Sequence, residues 1–176
     1  MINNFISNSN YITVVVPVKD RFDLLFRALN SIDNQLKVKV ELIVIDDGSK
    51  NKLCLPRFNR AIYKSILIRN NLSMNAAFAR NQGISKSTHD IVAFLDSDDT
   101  WKKNHLIEGI DFIRANNDIS LYVSEYKDTR LKNFFLKQKI LNMNPYKYLF
   151  EGYGDLRSST LIFKRELLTD IGGFDI

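Results

Sequence analysis

Ile91-Val-Ala-Phe-Leu-Asp-Ser-Asp-Asp-Thr-Trp101 is the stretch from which the rest of this 176-residue chain is read. Its first five residues are apolar and rich in branched and aromatic side chains, the pattern of a strand buried on both faces. The run stops at Asp96, Asp98 and Asp99, three carboxylates within four residues. In an open α/β sheet, ligands bind outside the carboxyl ends of the strands, so acids placed there face a crevice. Carboxylates packed this tightly raise one another's pKa unless a cation sits among them. Mg²⁺ or Mn²⁺ carrying a phosphorylated ligand meets that need, being held by one or two carboxylates and by phosphate oxygens. The competing reading is a solvated turn in which Asp98, Asp99 or Thr100 caps the next helix. A lone Asp-x-Asp does not separate the two.

Outward from this stretch, strands and helices alternate. Residues 11–18 (YITVVVPV), 40–45 (VELIVI) and 62–68 predict strands, the third more exposed because of Lys64 and Ser65. Phe22, Leu25, Phe26, Leu29 and Ile32 recur at helical spacing within 21–34. An Ala-rich helix is expected over 73–85, with Ser73 as its N-cap and Gly83 near its end. A further amphipathic helix spans 103–115, followed by strands at 119–124 and 159–163 and a short helix over 165–171. This order predicts an α/β fold with a largely parallel, doubly wound sheet.

Composition sets the bounds. The length suits one domain with a real core, and 45% hydrophobic with 26% charged residues is ordinary for a globular protein. Residues 1–10 are polar and Asn-rich and are expected to form a flexible leader, without the basic region and cleavage site of a signal peptide. No apolar run approaches membrane-spanning length. The single Cys54 excludes an internal disulfide and suits a reducing cytoplasm. His89 and His105 stand alone and are expected to be surface or packing residues. Residues 127–150 hold six basic side chains and one acidic one, so the entire net charge of +5 is concentrated there. That is a local patch rather than a basic protein, and no nucleic-acid partner is expected.

Three strands therefore end in suggestive residues: Pro17-Val-Lys-Asp-Arg21, Asp46-Asp47-Gly48-Ser49 and Asp96-Ser-Asp-Asp99. In a parallel sheet all three lie on one edge. Together with the segment from Ala79 to Ile84 (ARNQGI) and the Ile171–Asp175 element (IGGFD), they resemble the family 2 glycosyltransferases of the GT-A fold, within the nucleotide-diphospho-sugar transferases. The resemblance spans residues 12–175 in the family's order and spacing.

What the resemblance implies is specific. Residues 11–126 form the nucleotide-sugar donor-binding half, and 127–176 an incomplete acceptor-side half of a domain cut short at its C-terminus. Pro17, Val18 and Lys19 line the base pocket, although Lys19 stands where many relatives carry a Tyr, and Asp20 is a further donor-binding residue. Asp47 binds the base or ribose, and Arg80 lies near the donor. In the Asp96-Ser97-Asp98 motif, Asp96 faces the ribose and Asp98 holds Mn²⁺ or Mg²⁺, with Asp96 or Asp99 as a further ligand. The implied reaction is inverting transfer from a nucleotide-diphosphate sugar, with UDP the family's commonest carrier, to a glycan or lipid-linked acceptor. That places the chain in cell-surface polysaccharide synthesis, in the cytoplasm or peripherally at the inner face of the membrane through 127–150. The family's catalytic base follows the Gly-Gly-Phe-Asp element, so it is expected beyond Ile176.

Two alternatives stand beside this reading. A non-catalytic nucleotide-sugar-binding fragment would need no base. A haloacid-dehalogenase-like phosphohydrolase would use Asp96 as nucleophile and Asp98 as acid/base in Asp-x-Asp-x-Thr, though that motif usually follows the first strand of its domain.

Overall fold

The computed structural model describes residues 10–127 and 157–175. All but the last residue of the leader, and all but the first of the basic stretch 127–150, lie outside them. Six strands form one sheet: β1 (Tyr11–Val18), β2 (Lys39–Asp46), β3 (Ile62–Arg69), β4 (Ile91–Phe94), β5 (Leu121–Val123) and β6 (Leu161–Lys164). Their order is β3-β2-β1-β4-β6-β5. The chain builds outward from β1 to β3, then returns to pair β4 with the other side of β1. The boundary between β1 and β4 is thus the topological switch point, where open α/β sheets bind their ligands.

β-branched residues make β1 and β2 the centre of the sheet, where alternate side chains enter opposite layers. Ile12, Val14 and Val16 pack with Leu25, Leu29 and Ile32 of α1 (Phe22–Asp33) and with Leu106, Ile110 and Ile113 of α3 (His105–Ala115). Val15, Ile43 and Ile45 face the other layer, with Ala79 of α2 (Ala76–Lys86) and Leu168 of α4 (Arg165–Asp170). A methyl group on Gly83 would overlap the Val15 side chain, so this glycine lets α2 lie directly on β1. The exposed pattern of β3 follows from its place at the edge.

A buried charge ties the far end of the sheet. Glu41 is fully buried, and burial alone would raise its pKa. Bonds from Lys64 Nζ (2.6 Å), Thr13 Oγ1 (2.8 Å) and Thr88 outweigh that and hold it at about 2.

The sheet is largely parallel, as expected, with one exception: β6 runs antiparallel to both β4 and β5. Two readings at the helix starts are corrected. α2 begins at Ala76 rather than Ser73, because Ser73, Met74 and Asn75 donate to Asp47 instead of joining the helix; its N-cap is Asn75, whose side chain accepts from Phe78 N at 2.9 Å. α3 begins at His105 after Asn104, so none of Asp98, Asp99 and Thr100 caps it. Its acids are therefore not explained as helix caps.

Candidate active site

The carboxyl ends of β1, β2 and β4 meet at one edge, and hydrogen bonds lock their loops together. Asp20 adopts a left-handed backbone (φ 57°) just after β1. Its N–H donates to Ser49 Oγ at 2.9 Å, and its carboxylate accepts from Lys50 N at 2.7 Å. The first loop is thus stitched to the second. Pro17 and Val18 are buried beneath it, while Lys19 is exposed.

Asp47, at the end of β2, is almost wholly buried and accepts from Asn70 Nδ2 (3.0 Å), Ser73 Oγ (2.8 Å), Met74 N and Asn75 N. Burial taken alone would raise its pKa, but these donors outweigh it and hold the carboxylate below its usual range. Gly48 lets the same segment approach: a Cβ there would stand 2.9 Å from Ser73 N, and its φ of 75° favours glycine. Asp46 is the second anchor. Its Oδ1 accepts from Ser49 N at 2.9 Å, and Arg69 approaches Oδ2 at 3.3 Å.

The acids after β4 take three different surroundings. Asp96 has both oxygens bonded, Oδ1 to Arg80 of α2 at 2.6 Å and Oδ2 to Ser158 Oγ at 2.8 Å. The same Arg80 nitrogen donates to Ser158 Oγ at 2.8 Å, and its guanidinium lies 5.4 Å over the Phe174 ring. Ser159 Oγ accepts from Asp96 N at 3.0 Å and donates to Asp99 Oδ2 at 2.6 Å. Burial, with repulsion from Asp96 and Asp98, nevertheless raises the Asp99 pKa. Ser97 is buried. Asp98 is the most exposed of the three, and Arg21, just before α1, meets its Oδ2 at 2.7 Å.

Sequence reasoning missed Ser158 and Ser159, and gave no role to Arg21 or to Trp101, whose indole N–H donates to the Ser159 carbonyl at 2.7 Å. The two serines were overlooked because a parallel β6 would start on the far edge; running antiparallel, it starts beside the acids. The last expected element joins through α2. Asn81 exchanges two 2.8 Å bonds with the Phe174 backbone, holding Gly172 and Gly173 in left-handed turns. An open depression lined by Asn10, Asp33, Gln35 and Arg60 lies at the opposite edge, away from this chemistry.

Among the described residues, no three of His, Cys, Asp or Glu converge on a point that could hold an ion. The donor set still fits a divalent cation bound mainly by its ligand. Asp98 offers one exposed carboxylate already paired with a cation, and Mg²⁺ characteristically takes one or two carboxylates, phosphates and water.

Residues 13–172 match the family model described as glycosyl transferase family 2. The chain belongs to that family. The amylovoran biosynthesis glycosyltransferase AmsB of Erwinia amylovora is 27% identical to this family 2 chain over 173 residues, covering 90% of it and 57% of the relative. An Escherichia coli protein, the UDP-Glc:alpha-D-GlcNAc-diphosphoundecaprenol beta-1,3-glucosyltransferase WfgD, is also 27% identical, covering 89% and 61%. S. aureus TarS 1-349 in complex with UDP-GlcNAc superposes with a TM-score of 0.71 at 20% identity, over 93% of this chain and 48% of that one. The mannosyltransferase PcManGT of Pyrobaculum calidifontis, in complex with GDP-Man and Mn²⁺, gives 0.69 at 20% identity, over 96% and 48%. The fold is therefore GT-A, and the chain spans about half the length of these solved relatives. Nothing in this family 2 site favours a phosphohydrolase: Asp96 follows the fourth strand and has both oxygens engaged.

Proposed function

We propose that this chain is the nucleotide-sugar-binding part of an inverting, metal-dependent glycosyltransferase. The observation that carries the reading is Asp98, the most exposed acid of its cluster, at the switch point between β1 and β4. The neighbours' complexes support a nucleotide-diphosphate sugar as donor, and a UDP-sugar is the first choice because TarS binds UDP-GlcNAc. The PcManGT complex supports Mn²⁺ as the ion, with Mg²⁺ as its substitute.

In this reading Asp98 would hold the ion, with Asp99 near enough in sequence to bond a metal-bound water. When bound, the ion stabilises charge on the departing nucleotide diphosphate as a Lewis acid. Pro17, Val18, Lys19 and Asp20 form the base-side loop, which Ser49 and Lys50 keep rigid. A base N–H or ribose hydroxyl reaches Asp47 by taking the place of a side-chain donor, Ser73 or Asn70, while the main-chain bonds from Met74 and Asn75 stay. Asp96, held by Arg80 and Ser158 with Ser97 buried beneath, is fixed toward the ribose. The residue that takes the acceptor proton is not assigned to any described position. A glycan or lipid-linked acceptor, at the cytoplasmic face of a membrane, is the proposed partner, supported by the diphosphoundecaprenol named in WfgD. No described helix is long and apolar enough to cross a membrane, and the proposed membrane contact rests on the basic stretch 127–150.

Calorimetric titration with UDP, GDP and ADP, each with Mn²⁺ and then with excess EDTA, tests the reading. UDP binding that EDTA removes is the expected result. If none of the three binds, the donor assignment fails.

A further inference from the structure

Arg21 is joined to the crevice in an unusual way. Its backbone is fixed, because Asp20 beside it is tied to Ser49 and Lys50 and its own carbonyl accepts from Leu25 N at 2.9 Å. Its side chain is 58% exposed, and its one ion pair among the described residues reaches 77 residues along the chain to Asp98. A rigid base with a solvated arm is the arrangement of a group that can let go. Exposed ion pairs contribute little, so release is cheap. Guanidinium also has five donors in a planar fork, suited to phosphate oxygens once it is free.

We propose that Arg21 is the exchangeable cation of this site. It neutralises Asp98 while the crevice holds no divalent ion, and it yields that carboxylate when the ion arrives. The inference rests on the metal assignment at Asp98 made above. Asp96 and Asp99 do not compete for the same arm, since Arg80, Ser158 and Ser159 already occupy them. Without Arg21, Asp98 would lose its ion pair while still facing the repulsion of its neighbouring acids. Arg21 therefore keeps the empty site ordered and sets the threshold for metal entry.

The test measures Mn²⁺ binding without nucleotide, by the electron paramagnetic resonance of the free ion, in wild type, Arg21→Gln, Arg21→Lys and Asp98→Asn. Arg21→Gln should bind Mn²⁺ about two- to fivefold more tightly, the range set by an exposed ion pair, with Arg21→Lys in between. In parallel, the side-chain Nε–H signal of Arg21 is followed by NMR while Mg²⁺ is added. It should shift in wild type toward the position it already has in Asp98→Asn. Unchanged or weaker Mn²⁺ binding in Arg21→Gln, with binding lost in Asp98→Asn, overturns the exchange and leaves the metal assignment standing. Binding that survives in Asp98→Asn overturns the metal assignment, and the exchange with it. If no protein binds Mn²⁺ and the Arg21 signal ignores Mg²⁺, the exchange is overturned; the metal assignment falls with it only if UDP–Mn²⁺ also fails to bind.

Discussion

At the scale of single residues, the division of labour among similar side chains follows from their neighbours. Asp96 and Asp98 are two positions apart, yet Asp96 is bonded at both oxygens and Asp98 meets only a solvated arginine in its crevice. Arg80 is the side chain that enforces the difference, bridging Asp96 and Ser158 at 14% exposure. Arg80→Ala leaves both partners short of a donor and should cost about 1–3 kcal/mol of stability, measured by urea denaturation. His105 gives a prediction with a sign. It is buried against Trp101, with ring centroids 4.5 Å apart, and burial lowers its pKa from 6.5 to about 4. Its Nε2 has no hydrogen-bond partner among the described residues. Between those two pH values the unfolded chain binds a proton that the folded chain refuses. Stability should therefore fall as pH drops from about 6.5 to about 4, by on the order of 3 kcal/mol. His105→Phe, which keeps a ring in the stack, should flatten that part of the profile; an unaltered slope would remove His105 as its source.

At the scale of elements, the strands were legible because β-branched runs buried on both faces leave few other readings. β1 matches its expected span, and the others shift by at most two residues at either end. What could not be read was direction. No residue of Leu161–Lys164 announces that β6 is antiparallel, and direction alone brings Ser158 and Ser159 to the acids. The start of α2 was also hidden, since a carboxylate nearly thirty positions earlier draws Ser73 to Asn75 out of the helix. Holding that turn puts Asn75 at φ 95°, ψ 166°, a region that essentially only glycine occupies without strain. Asn75→Gly gives up a cap bond worth a few tenths of a kcal/mol relative to glycine and relieves a strain of ~1–3 kcal/mol. The net expectation is stabilisation by about 1 kcal/mol, read from the denaturation midpoint. Gly83 predicts the opposite sign. A methyl group there meets Val15 in the packed centre of the sheet, so Gly83→Ala should destabilise by about 1–3 kcal/mol.

At the scale of the whole molecule, the strand order gathers residues from Asp20 to Phe174 around one crevice, between two helical layers that make the sheet rigid. The acids of that crevice stood out in the sequence because short charged clusters after apolar runs are conspicuous. Their partners did not, because an arginine or a serine pair is ordinary until topology places it. Family membership gives the GT-A frame, while the claim specific to this chain is that Asp98 is where nucleotide diphosphate and metal meet. Calorimetric titration of UDP in the presence of Mn²⁺, comparing wild type with Asp98→Ala, tests it most directly. Affinity should fall by at least ~10- to 100-fold, the loss typical of even an indirect metal contact, and EDTA should bring wild type down to the level of the variant. Equal affinity for UDP–Mn²⁺ in wild type and Asp98→Ala would contradict it.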